Sequence, residues 1–205
     1  MYLPPAFAEH RPEVLHDLIR RHGFATVVSD GPDGLAATQL PVLLDPAHGT
    51  HGRLLSHMAR ANPQWQAFLP DRDVLIIFNG PHAYVSPSWY ASDKAVPTWN
   101  YATVHCHGRP RLLDDPATVR EVLADTVTTY EAAMPVPWHL GRLPDDFVEQ
   151  LARSVVAFEV PIARIVGKWK MSQNRPAADR DGAARALADS ADQVARQVAA
   201  IMRNA

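Results

Sequence analysis

Hydrophobic and polar positions change period several times along the 205 residues, and each period predicts an element. Behind Pro12, the residues Val14, Leu15, Leu18 and Ile19 recur at helical spacing until Gly23, which predicts a helix over about residues 11–22. The apolar, β-branched stretch 24–29, the turn cluster 30–34 and the extended stretch 35–44 predict a hairpin. After a turn at 48–52, a strand at 53–57 leads into a short helix over 59–68 that Pro70 ends. Residues 74–78 are the most apolar strand and the expected centre of the sheet.

From Tyr101 the period is two. Tyr101, Thr103, His105 and His107 fall on one face, Ala102, Val104 and Cys106 on the other. Asp114-Asp115-Pro116 opens a helix whose stripe runs through Val119, Val122, Leu123, Thr126, Val127 and Tyr130 and stops before Pro135 and Pro137. A short helix over 144–151, a strand over 155–160 and an extended piece through 165–170 follow. The alanine-rich tail then places Leu187, Ala191, Val194, Val198 and Ile201 along one narrow seam, too short to stand alone in water. The division expected is one barrel domain over 1–175 and a C-terminal helix over 176–205 that packs on the barrel or on a partner subunit. Strands interrupted by short helices predict a mainly β fold with α additions, a β-barrel.

Composition narrows the function classes. A 47% hydrophobic, 20% charged chain forms a core, and a net charge of −2 argues against a nucleic-acid reader. Cys106 is the single cysteine, so no internal disulfide forms. The first residues carry neither a charged leader nor a long apolar run, and the apolar runs are strand-sized, which leads to the expectation of a cytoplasmic protein with no membrane span.

Candidate chemistry concentrates in three stretches. Residues 78–101 hold Tyr84, Tyr90, Tyr101, Trp89 and Trp99 among four prolines or glycines. One strand or helix cannot bury so many rings beside so many turn-formers, so several must wall a concave surface suited to a flat, conjugated ligand. Ser56, His57, Arg60 and Asn62, at an expected strand end and helix start, make a candidate anion cradle. Lys168 to Arg175 alternates cations with Ser172, Gln173 and Asn174, which can donate to carbonyl or phosphate oxygens. Histidines 57, 82, 105 and 107 could hold a metal, but residues 108–113 supply no carboxylate beside His105 and His107. No nucleophile elbow, phosphate loop or dinucleotide fingerprint is present, and Cys106 points to the apolar face.

Specific motifs carry a family resemblance from residue 1 to about 175. Met1-Tyr2-Leu3-Pro4, Thr38-Gln39-Leu40-Pro41, His57-x-Ala59-x-x-Asn62-Pro63-Gln64-Trp65, Gly80-Pro81-His82-Ala83-Tyr84-Val85-Ser86, Ser88-Trp89-Tyr90, Val96-Pro97-Thr98-Trp99-Asn100-Tyr101, Val104-His105 and Ser172-Gln173-Asn174-Arg175 occur in the order seen in the PaiB-like family. That family is described as FMN-binding negative transcriptional regulators. The resemblance implies a split β-barrel like that of pyridoxamine-phosphate oxidases and flavin reductases, a homodimer with two FMN sites at the subunit interface. It implies flavin contacts from Thr38, Gln39 and Leu40, a phosphate site near Ser56, His57, Arg60 and Asn62, ring contacts from Trp99, Asn100 and Tyr101, and closure by Gln173 and Arg175. Gln39 stands where many relatives have histidine, which removes a titrating group. The function expected is that of a flavin-dependent oxidoreductase or flavin-linked regulator. Its rivals are a direct DNA-binding repressor and a barrel that binds haem or a deazaflavin instead.

Overall fold

A computed structural model describes residues 1–32 and 34–204. The strands are β1 (Ala8–Glu9), β2 (Phe24–Gly31), β3 (Gly34–Asp45), β4 (Arg53–Ala59), β5 (Val74–Val85), β6 (Thr98–Gly108), β7 (Arg111–Leu113), β8 (Val155–Pro161) and β9 (Arg164–Lys170). The helices are α1 (Pro12–Arg21), α2 (Pro116–Glu131), α3 (Asp145–Arg153), α4 (Ala177–Ala188) and α5 (Gln193–Arg203). Asp33, part of the turn expected at 30–34, and Ala205, in the tail, lie outside the described residues.

The chain divides into two compact units: residues 1–18, 79–104 and 166–205, and residues 19–78 and 105–165. In the second unit the strand order is β5-β2-β3-β4-β8-β7, and the pairs β5–β2, β2–β3, β3–β4, β4–β8 and β8–β7 are antiparallel. The pleat sorts the side chains: Ala25, Val27 and Ser29 of β2 face the core with Leu40 and Val42 of β3 and Leu54, Ser56 and Met58 of β4. The α2 stripe packs on part of the opposite face of β4, β8 and β7, where Val119 and Val122 meet Ala157 with Leu55, Leu113 and Val155 around them, while Gln39 of β3 stays exposed on that face. Asp115 caps that helix by accepting from the Thr118 amide at 2.9 Å, and Pro116 starts it without losing a needed donor.

In the first unit the order is β1-β9-β6-β5, with Ala8 opposite Lys168. Strand β5 runs seven residues past the 78 expected from the sequence, through Gly80-Pro81, to Val85. Gly80 makes that possible, because a Cβ there would meet the Ala102 carbonyl at 3.1 Å and Leu18 at 2.9 Å. The tail forms two helices where one was expected. Ser190 accepts from the Asp192 amide, and Asp192 in turn accepts from the Val194 amide at 2.8 Å, so the chain stops and restarts across residues 189–192. Leu187, Ala195, Val198, Ala199 and Met202 are buried, and Met202 meets the side-chain amide of Asn100.

A second expectation fails in the second unit. Residues 59–68 do not form an α-helix: β4 continues to Ala59 by pairing with Val155, and only a 3-10 turn, Pro63–Ala67, follows under the Asn62 cap. The ladder to β8 outweighs the weak helical pattern.

Candidate functional site

With no helix after β4, the cradle proposed for residues 56–62 loses its row of free helical amides. The pleat also separates its members. Thr38, Leu40 and Ser56 turn to the core face, and the Ser56 hydroxyl donates to the Pro41 carbonyl at 2.7 Å. Asn62 donates to the Thr38 hydroxyl at 3.1 Å. Gln39 and His57 share the other face, since Leu43 lies opposite Leu55 and odd positions of both strands point the same way. Arg60 is tied by Nε to the Arg153 carbonyl at 2.8 Å and by Nη2 to the Val155 carbonyl at 2.7 Å, leaving Nη1 for a ligand.

Burial pushes the His57 imidazole below its ordinary pKa, so the ring is neutral, and its Nδ1 is buried with no hydrogen-bond partner. A neutral imidazole with an orphan ring nitrogen, an exposed amide on Gln39 and a residual guanidinium N–H are donors of the kind that flavin carbonyls and ring nitrogens take. FMN therefore fits the chemistry of this strand face. The structure was needed to single out His57 and Gln39 from their neighbours, because the sequence gives no sign of which face a ligand approaches.

The aromatic stretch does wall a cleft, within the first unit. His82, Tyr84, Trp89 and Trp99 line about 620 Å³ together with Leu187 and Val194 of the tail helices. The Trp99 ring lies 6.0 Å from Tyr84, edge to face, and 6.2 Å from His82. Tyr90 and Tyr101 stand elsewhere: Arg175 stacks 4.8 Å over Tyr90, and Lys168 sits 5.3 Å from the Tyr101 ring. Asn100 is fully buried and exchanges hydrogen bonds with Ser172, while Gln173 folds back to accept from the Met171 amide and donate to the Trp169 carbonyl. Both amides are thus engaged internally. Tyr90, Thr98 and Lys170, which the sequence placed in two separate candidate stretches, are gathered by the structure beside Ser172 and Arg175.

Among the described residues no group of three or more His, Cys, Asp or Glu side chains could hold a metal. Cys106 is fully buried and its thiol is pushed up to about 12 by burial, which leaves it unreactive. Burial likewise pushes His105 and His107 below the ordinary histidine range, as it does His57. Depressed histidines bind more protons unfolded than folded, so stability is full above the unfolded value and is lost as pH falls through about 6.5 toward the lower folded values. Urea midpoints at roughly pH 7.5 and roughly pH 5.5 test this, and the acid midpoint is expected to be lower. Equal midpoints would contradict it.

Comparison with known proteins follows the same line. The family model described as "Putative FMN-binding domain" matches residues 1–164. The chain is 32% identical over 204 residues to the protease synthase and sporulation protein PAI 2 of Bacillus subtilis (strain 168), spanning 100% of this chain and 97% of that relative. The flavocytochrome Anf3 from Azotobacter vinelandii superposes with a TM-score of 0.60 at 17% identity, over 80% of this chain and 69% of that one. The FAD and heme binding protein from Mycobacterium smegmatis gives 0.58 at 13% identity, over 86% and 79%. Identities this low speak for the fold alone, and they agree with a mainly antiparallel β chain with α additions, the split barrel expected from the motifs. With the family match over four-fifths of its length and a full-length relative at 32% identity, this chain belongs to the FMN-binding family, with FMN as the fitting cofactor.

Proposed function

We propose that the protein is a flavin-dependent redox protein that works as a homodimer and holds FMN on the β3–β4 face through Gln39, His57 and Arg60. The observation that carries the cofactor contact is the buried, unpartnered Nδ1 of His57 on the face it shares with Gln39. A polar atom buried without a partner costs free energy that a bound acceptor or donor would recover. FMN when bound supplies one- and two-electron transfer at its ring. The chain's own part is to bind and orient: neutral His57 and Gln39 offer directional hydrogen bonds, and Arg60, anchored by two carbonyls, keeps a cation at a fixed place. The dimer is supported by the outer face of β2 and β3, where Phe24 is 69% and Leu35 79% exposed in one chain.

Flavin absorption bands in the purified protein, or saturable uptake of added FMN, test the reading. His57→Leu is expected to weaken FMN binding about tenfold, as loss of one buried hydrogen bond does. Colourless protein that takes up no flavin would end the proposal. Oxidation of a nicotinamide donor by the loaded protein tests the enzymatic half, and light scattering tests the dimer.

A regulatory reading has support from the sporulation relative, which spans this whole chain. The net charge of −2 supports a role in flavin-linked signalling or protein contact over direct capture of DNA phosphates. A mobility shift at low salt that fades steeply with added salt would reverse that preference.

A further inference from the structure

Within the first unit a second, smaller cavity of about 100 Å³ is lined by Tyr90, Thr98, Asn100, Lys170, Ser172 and Arg175, with Asn174 at its side. Its volume equals that of about three liquid waters, the size of a phosphate or carboxylate group. Three features set it apart from an ordinary polar cluster. Ser172 is the one non-glycine residue among those described with positive φ, at 63°, a strained conformation that is kept where the surroundings demand it. Its hydroxyl is locked to the Asn100 amide in both directions, at 3.1 and 3.2 Å, and its carbonyl accepts from the Arg175 amide at 2.9 Å. This turn fixes the positions of Asn174 and Arg175.

The second feature is the Tyr90 hydroxyl, buried beneath Arg175 with no hydrogen-bond partner. The third is a charge imbalance. Lys170 donates to the Thr98 hydroxyl and the Trp99 carbonyl, with no carboxylate within 4 Å among the described residues. Arg175 has one, Asp179, at 3.9 Å, and that carboxylate is already taken up by the amide and hydroxyl of Ser92. Burial, and then nearby Lys168, push the Lys170 ammonium below its ordinary range. An anion in the cavity would offset that cost.

We propose that this cavity is an oxyanion site, in which Lys170 and Arg175 supply charge and the hydroxyls of Tyr90 and Thr98 and the amide of Asn174 supply direction. The proposal goes beyond the flavin contacts assigned above. The oxyanion is a phosphate or carboxylate group on a molecule other than the flavin.

Calorimetric titration of the full chain with inorganic phosphate reads the site directly. Lys170→Met is expected to lower phosphate affinity at least about tenfold and Tyr90→Phe about threefold or more, the losses for a charge-assisted and a neutral hydrogen bond. Tyr90→Phe removes a single oxygen and keeps the test open if Lys170→Met does not fold. Parallel titrations with FMN and riboflavin show whether the flavin itself uses the cavity. Variants that keep both support a separate oxyanion; a variant that loses FMN but keeps riboflavin would overturn it. Wild-type protein that ignores phosphate, or variants that bind it as tightly as wild type, would overturn the proposal. Because phosphate is titrated alone, a failure of flavin binding is read separately.

Discussion

Phe158→Ala is expected to lower the free energy of unfolding by about 3–5 kcal/mol. Phe158 lies at the middle of β8, 1% exposed, opposite Ser56 of β4 and Leu112 of β7. Its ring meets Phe68 edge to face with centroids 5.0 Å apart, so truncation opens a cavity and removes a ring pair together. Strands fix the backbone on both sides, so the site cannot collapse to refill the space. A domain of this size holds on the order of 5–15 kcal/mol in all, and a loss of this size takes a large share of it. Urea unfolding followed by far-ultraviolet circular dichroism measures it. A loss below about 1 kcal/mol would mean that β8 is not the packed centre of its unit.

The second large effect is expected at Gly108. A Cβ built there would stand 2.1 Å from the Pro161 carbonyl oxygen and 2.9 Å from a methyl of Val160. The first obstacle is backbone, which no rotamer change can clear, so Gly108→Ala must push β6 away from the end of β8. Overpacking of this kind costs about 1–3 kcal/mol and more when backbone has to move. The nearby link from the Ala163 amide to the His107 carbonyl, 2.9 Å long, is the bond most exposed to that displacement. Thermal unfolding of Gly108→Ala beside wild type is the check, and an unchanged midpoint would show that the close approach is absent in solution.

Legibility followed locality. Helix α2 was readable because its cap, its proline and its apolar stripe lie within one stretch, and all three act within a turn or two. The alternation from Tyr101 placed Cys106 inward because period two is fixed by the pleat itself. The helix expected at 59–68 failed because pairing with β8, about a hundred residues away, competes for the same backbone groups. The length of β5 was missed for a similar reason: Gly80-Pro81 reads as a turn locally, but the close approach of Ala102 keeps it extended.

The same division runs through the candidate sites. Motifs were enough to bring Gln39, His57, Arg60 and Arg175 forward and to point to FMN, since residue types and their order are written in the chain. They could not separate Gln39 and His57 from Thr38 and Ser56, because the side of a sheet that a residue takes depends on register with a strand elsewhere. Nor could they show that Asn100 and Gln173 are consumed by internal hydrogen bonds. By itself, then, the sequence determined the mainly β class, the family and the cofactor, all of which rest on local pattern. Which donors stay free, and the gathering of Lys170, Tyr90 and Ser172 around one cavity, were decided by the tertiary structure, because a donor is available only if nothing distant in the chain has already claimed it.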